Sequence, residues 1–239
     1  MKILGIDYGT KRIGIAISVE EVEMPLETIT IENYKEKIKE IINTRNIDII
    51  VIGLPVSMSG RYNGITLNVV SFALKISKLV KKPVWLFDER LSTESSRYTA
   101  TSRKSFKNNK DTLSALNILR RFNPRSSNAY KIVDVFPEWI PEWEKLPESK
   151  LLAYQPDNPE IVYLLNEKHK DQKIFTSNPQ IFLILKRKGF TPVNIIEDVY
   201  PEEYSSIVIN RENQEKCPDN LKKEKYIYTY RVCARSSMD

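Results

Sequence analysis

Residues Ile47 to Leu54 (IDIIVIGL) form a nearly continuous apolar run of strand length. A strand with one wet face alternates apolar and polar residues. A run without alternation suits a strand buried on both faces of a parallel sheet. Parallel neighbours need crossover connections, so the run predicts an α/β fold with helices on both sides of the sheet.

The segments around this run supply the rest of such a fold. Leu4 and Ile6 alternate with Gly5, and Ile13, Ile15 and Ile17 alternate with Gly14, Ala16 and Ser18, giving two period-2 strands joined by a turn at Gly9-Thr10. Pro25 to Ile31 alternates as a third strand. Residues 33–45 place Tyr34, Ile38, Ile41 and Ile42 at helical spacing, and residues 65–81 do the same with Val69, Phe72, Ala73, Ile76 and Leu79. Pro83 to Phe87 is a further strand that runs into Asp88-Glu89-Arg90. Lys110 to Phe122 is an amphipathic helix with Leu113, Leu116, Ile118 and Leu119 expected to face inward. This order predicts a mixed five-stranded sheet flanked by helices, with the first, fourth and fifth strands side by side. Their carboxyl ends share one edge, where Asp7, the polar loop after Leu54 and the Asp88-Glu89 pair converge. Open α/β sheets favour that edge for ligands.

Composition shifts near residue 123. Residues 124–149 read as a Pro/Trp-rich linker, and residues 150–239 as a second, small α/β domain. Its expected elements are strands at 151–155, 173–176, 192–196, 206–210 and 226–232, with helices at 158–169 and 178–188. Tyr226, Tyr228 and Tyr230 share one face of the last strand, where burial in a core is the preferred reading over base stacking.

Charge is unequally divided. Residues 1–124 hold 20 Lys+Arg against 13 Asp+Glu, so the N-terminal half carries the excess behind the overall +6. A basic domain with carboxylates at strand ends fits a polyanionic substrate approached with metal ions. Between Ser95 and Lys110 lie five basic residues and no acidic one. No apolar run approaches a membrane span. The chain starts directly with a strand, with no signal peptide expected, and its two cysteines, Cys217 and Cys233, suit a reducing cytoplasm and are too few for a zinc site. His169, the only histidine, falls in an expected helix and reads as a surface residue.

On the hairpin alone, Asp7 is equally well explained as an acceptor for the turn amides and as a metal ligand. Asp88, Glu89 and Asp111 shift that balance, because all fall where one sheet edge can gather them. Paired divalent ions need several carboxylate oxygens from separate elements, and Mg²⁺ or Mn²⁺ accepts such hard ligands.

Gly5-Ile-Asp7-Tyr-Gly-Thr-Lys11-Arg12-Ile-Gly-Ile-Ala16, then Gly53-Leu-Pro55 with Gly60 and Gly64, then Asp88-Glu89-Arg90-Leu91-Ser92-Thr93, then a basic loop leading to Lys110-Asp111 and Ala115, together resemble the bacterial YqgF/RuvX family. Its members are described as Holliday-junction resolvases and as nucleases maturing the 5′ end of pre-16S rRNA. The resemblance covers residues 1 to about 123, where members usually end. It implies a ribonuclease H-like fold, a cytoplasmic monomer or homodimer, and hydrolysis assisted by Mg²⁺ or Mn²⁺. Carried over by position, it makes Asp7, Glu89 or Asp88, and Asp111 the metal-holding and catalytic carboxylates, with Glu89 favoured and Asp88 holding the loop. Lys11, Arg12 and Arg90 become candidates for phosphate contacts, and Arg103, Lys104, Lys107 and Lys110 for wider backbone contacts with structured RNA or branched DNA. The sequence departs from the family at Ser114, where an alanine is common. Two further readings stand beside this one: a non-catalytic nucleic-acid-binding protein on a nuclease fold, and an ATP-binding protein of the actin and sugar-kinase type, which shares Gly-Ile-Asp-x-Gly-Thr but needs a second phosphate motif.

Overall fold

A computed structural model of the chain describes residues 1–88, 90, 110–146 and 150–233. These divide into two compact units, Met1–Asp134 and Val135–Asp239.

In the first unit, β1 (Lys2–Tyr8), β2 (Arg12–Val19) and β3 (Val22–Thr30) make an antiparallel meander. After α1 (Tyr34–Arg45), β4 (Ile49–Leu54) enters parallel to β1. Helix α2 (Gly64–Val80) leads to β5 (Val84–Asp88), parallel to β4. Residues 50–54 are buried throughout, as expected of a strand covered on both faces. Helix α3 (Lys110–Arg121) is followed by β6 (Ala129–Lys131), which pairs antiparallel with β5. The sheet order is β3-β2-β1-β4-β5-β6. It is therefore a mixed sheet flanked by helices, with six strands rather than five. The sixth is a three-residue Ala-Tyr-Lys edge, too short to show a period.

Alternation assigns the faces of this sheet. Tyr8 packs against Phe72 of α2, with ring centroids 4.5 Å apart and planes tilted by 33°, so Leu4, Ile6 and Tyr8 face α2. Ala16 packs with Ala115, Leu116 and Leu119 of α3 on the other face. Two glycines allow α3 to lie close there. A Cβ on Gly5 would come 2.5 Å from Leu119 Cγ and 2.9 Å from the Ala115 carbonyl oxygen, and one on Gly14 would overlap the Asp111 backbone. Leu113, expected to point inward, is 38% exposed.

The second unit carries a five-stranded sheet in the order β7-β11-β10-β8-β9, built from β7 (Trp139–Pro141), β8 (Leu151–Tyr154), β9 (Lys173–Phe175), β10 (Ser206–Asn210) and β11 (Tyr226–Val232). All pairings are parallel except that of β7 on β11. Helices α4 (Pro159–Lys168) and α5 (Pro179–Arg187) start with the same device, an Asn N-cap followed by Pro; α6 (Asp219–Lys222) is a single turn. The segment expected as a linker thus contributes an edge strand to each sheet, β6 to the first and β7 to the second. The strand expected at 192–196 is reduced to one bridge, Phe175 to Val193, followed by a 3₁₀ turn at Ile196–Asp198. Tyr230 is fully buried with its hydroxyl donating to Asp157 Oδ2 at 3.0 Å, while Tyr226 is 71% exposed. No helix among the described residues is long and apolar enough to cross a membrane.

Candidate nucleic-acid-cleaving site

Asp7 sits near the carboxyl end of β1, two residues past Gly5 and directly opposite Gly14 of β2. It therefore faces α3. Because Gly14 has no side chain, the first turn of α3 comes down onto β2 at Asp111. The electrostatics of Asp7 record the closeness that results. Burial first, and repulsion from the Asp111 carboxylate second, raise the Asp7 carboxyl above its ordinary range, while a hydrogen bond with Ser114 pulls it back. The same hydroxyl lies 3.2 Å from the Lys110 carbonyl oxygen, so its single proton is shared between Asp7 and the i−4 bond available to a helical serine. This serine, visible in the sequence only as a departure from a family alanine, is the contact that sequence reasoning missed.

Arg12, at the start of β2, lies 3.5 Å from Asp111 through Nε, with most of its side chain in solvent. Such an ion pair contributes at most about 1 kcal/mol. Lys11 and Lys110 are exposed. The neighbourhood of the two carboxylates is thus basic and open to water.

Asp88 lies elsewhere. Trp85 and Phe87 pack with Val51, Ile118 and Phe122, on the α3 side. The intervening residues Val84, Leu86 and Asp88 face the opposite side, and Asp88 is paired in register with Leu54. Its carboxylate is 5% exposed as a residue and ion-paired with Arg90, whose Nη2 lies 2.8 Å from Oδ2. Arg90 also donates its backbone N–H to Asp88 Oδ1 at 3.0 Å and Nη1 to the Ser57 carbonyl oxygen at 2.6 Å. Beside this pair, burial and contact with Tyr130 raise the Tyr62 phenol far above its ordinary range. Of the expected site residues, the structure brings together Asp7 and Asp111, with Arg12 at the margin, and sets Asp88 and Arg90 on the other face. Glu89, Arg103, Lys104 and Lys107 lie outside the described residues. Among the described residues no group of three or more His, Cys, Asp or Glu side chains is placed to hold a metal ion.

The family described as "RuvX: Holliday junction resolvase" matches residues 1–122. A Rickettsia typhi protein named "Putative pre-16S rRNA nuclease" is 39% identical over 137 residues, 51% of this chain and 88% of that one. Its Rickettsia africae namesake is 38% identical over 126 residues, 49% of this chain and 82% of that one. Among solved structures, Thermus thermophilus RuvC in complex with a Holliday junction substrate matches 50% of this chain and 90% of its own at 14% identity and a TM-score of 0.37. The residues that the family matches run from β1 through α3, the elements that set Asp7 against Asp111. By that match, the chain belongs to the RuvX family.

Proposed function

We propose that this protein is a metal-dependent endonuclease that hydrolyses phosphodiester bonds of structured nucleic acid, with 5′-end processing of pre-16S rRNA as its reaction. The observation that carries this reading is the pairing of Asp7 and Asp111 at the sheet edge. Two partly buried carboxylates that repel one another are held together at a cost, which a hard divalent cation offsets. Their oxygen donors fit Mg²⁺ or Mn²⁺. Glu89 is the candidate for the third carboxylate on the family resemblance, since Asp88 faces away from Asp7.

In this reading Asp7, Asp111 and Glu89 hold two ions, and Ser114 orients Asp7. When bound, such ions polarise the scissile phosphodiester and activate the attacking water. Lys11 and Arg12 beside the carboxylates meet phosphates near the cut, and Arg103, Lys104, Lys107 and Lys110 meet the backbone more widely. The chemistry rests on the first unit, the nuclease domain of this reading. The activity and the two free thiols, Cys217 and Cys233, suit a cytoplasmic protein.

The test is side-by-side cleavage of a pre-16S rRNA 5′ fragment and a synthetic four-way DNA junction in Mn²⁺, with the oligomeric state measured in parallel. The family description favours the junction as the second substrate, and symmetric cutting of two strands there calls for a dimer. Cleavage of the RNA alone by a monomer supports rRNA processing. Binding of both without cleavage would leave a non-catalytic binding protein, and tight ATP binding would replace the nuclease reading altogether.

Ser114 gives a sharper prediction. Groups that orient a metal-holding side chain typically contribute 10- to 100-fold in metal affinity or activity. Ser114→Ala, which restores the common family residue, is expected to raise the Mn²⁺ concentration needed for half-maximal cleavage by about tenfold. An unchanged metal titration would show that the hydroxyl has no such role.

A further inference from the structure

Arg90 stands in the sequence as a phosphate contact, but its guanidinium is engaged elsewhere. Nε lies 3.2 and 3.3 Å from the two Asp88 oxygens, Nη2 lies 2.8 Å from Oδ2, and Nη1 reaches the Ser57 carbonyl oxygen at 2.6 Å. The anchor is itself fixed. The Asp88 N–H donates to the Asn128 carbonyl oxygen at 2.9 Å, and Asn128 Nδ2 returns a bond of 2.7 Å to the Asp88 carbonyl oxygen.

The target of Nη1 is the key to a turn. The Ser57 carbonyl oxygen also accepts from the Gly60 N–H at 2.8 Å, and Ser57 Oγ donates to the Arg61 carbonyl oxygen at 2.8 Å, closing residues 57–61 on themselves. Gly60 takes φ +83°, a conformation natural to glycine. On the C-terminal side, Tyr62 hydrogen-bonds to Tyr130 of β6, and the Asn63 cap of α2 exchanges bonds with Thr66. Thr66 Oγ1 then donates to the Pro55 carbonyl oxygen at 2.6 Å. The loop is therefore fastened at both ends, and Met58 at its apex is 98% exposed. Since β4 runs parallel to β1, this loop leaves the sheet at the edge that carries Asp7.

We propose that Arg90 is a positioning residue: it clamps the Ser57–Arg61 turn onto the end of β5, through Asp88, and presents that turn rigidly beside the carboxylate edge. Its charge is spent on Asp88 and the Ser57 carbonyl, so it does not neutralise a phosphate of the substrate. The inference rests on the nuclease reading for its consequence in cleavage, but the clamp itself is independent of that reading.

The test compares the full-length protein with Arg90→Ala and Arg90→Lys. Lysine keeps the charge but is a single point donor, which cannot span two carboxylate oxygens and a carbonyl at once. Binding of a labelled synthetic four-way DNA junction is followed in EDTA across 50 to 200 mM KCl, and amide exchange is followed across residues 56–62. The clamp predicts at least tenfold faster exchange there in both variants, an unchanged slope of log affinity against log salt, and reduced cleavage in Mn²⁺. A phosphate contact predicts a slope shallower by about 0.9 in Arg90→Ala, a wild-type slope in Arg90→Lys, and no change in exchange. A shallower slope, or wild-type exchange in Arg90→Lys, overturns the proposal. If Arg90→Ala does not fold, Arg90→Lys alone decides. If the wild-type protein binds neither the junction nor a pre-16S rRNA 5′ fragment, the nuclease reading fails, and the exchange comparison still decides the clamp.

Discussion

Asp7→Asn is expected to reduce cleavage to background while raising the melting temperature of the metal-free protein. The two effects share one cause. In the folded chain the Asp7 carboxyl is raised above its ordinary value by burial and by Asp111, so ionised Asp7 opposes folding. A raised acid contributes fully to stability below its unfolded value and loses that contribution as pH rises through its folded value. At neutral pH the ionised group is therefore a liability, and asparagine removes it. Because Asp7 is partly exposed, solvent screens the penalty, and a gain of about 1–3 °C is the expected size. Wild type and Asp7→Asn should converge in melting temperature as pH falls into the ordinary carboxylate range and diverge above it. Divalent metal reverses the order, since binding to the native state stabilises the wild type by mass action. Melting curves from pH 4 to 8, in EDTA and in Mn²⁺, check the stability effect; cleavage assays check the loss of activity. Equal cleavage by the variant would remove Asp7 from the site.

The same pair of carboxylates shows how far the sequence could be read. The apolar run in β4 and the alternation of β1 and β2 are local patterns, so the central strands and their shared edge were legible. Which side of the sheet Asp88 takes was not, because it depends on the phase of β5, and that phase is set by Trp85 and Phe87 packing against Ile118 and Phe122, some thirty residues on. The Tyr62–Tyr130 contact joins a loop to the three-residue β6, neither with a periodicity of its own. β6 is three residues of ordinary composition and exists because the edge of β5 offers a ladder to pair with. Residues 192–196 fail in the opposite sense. Val193, Ile195 and Ile196 look like a strand, yet beyond the single bridge at Val193 the chain turns into 3₁₀ geometry at Ile196–Asp198. The spacing of Leu113 points it inward, but α3 lies on the sheet through Ala115, Leu116, Ile118 and Leu119, and its rotation leaves Leu113 at the margin.

Of Gly5, Gly9, Gly14 and Gly64, Gly14 has the tightest surroundings and carries the largest expected structural effect. A methyl group there would overlap the Asp111 carbonyl, which is backbone and cannot swing aside as a side-chain tip would. The N-terminal turn of α3 must lift away from β2, or the hairpin must bend. Overpacking of this kind costs roughly 1–3 kcal/mol, so Gly14→Ala is expected to melt several degrees below wild type. The displacement also carries Asp111 away from Asp7. A misplacement of about 1 Å in a catalytic constellation can cost around 10²-fold, so cleavage should fall by that order even well below the melting temperature. Gly64→Ala supplies the control. No atom lies within 4 Å of where its Cβ would be, and it opens α2 in ordinary helical conformation, so it should be neutral or slightly stabilising by about 0.4–1 kcal/mol. Thermal melts paired with cleavage rates at 20 °C separate the two consequences. If Gly14→Ala melts low but cuts at the wild-type rate, the approach of α3 to β2 serves stability alone, and the juxtaposition of Asp111 with Asp7 is not what the chemistry depends on.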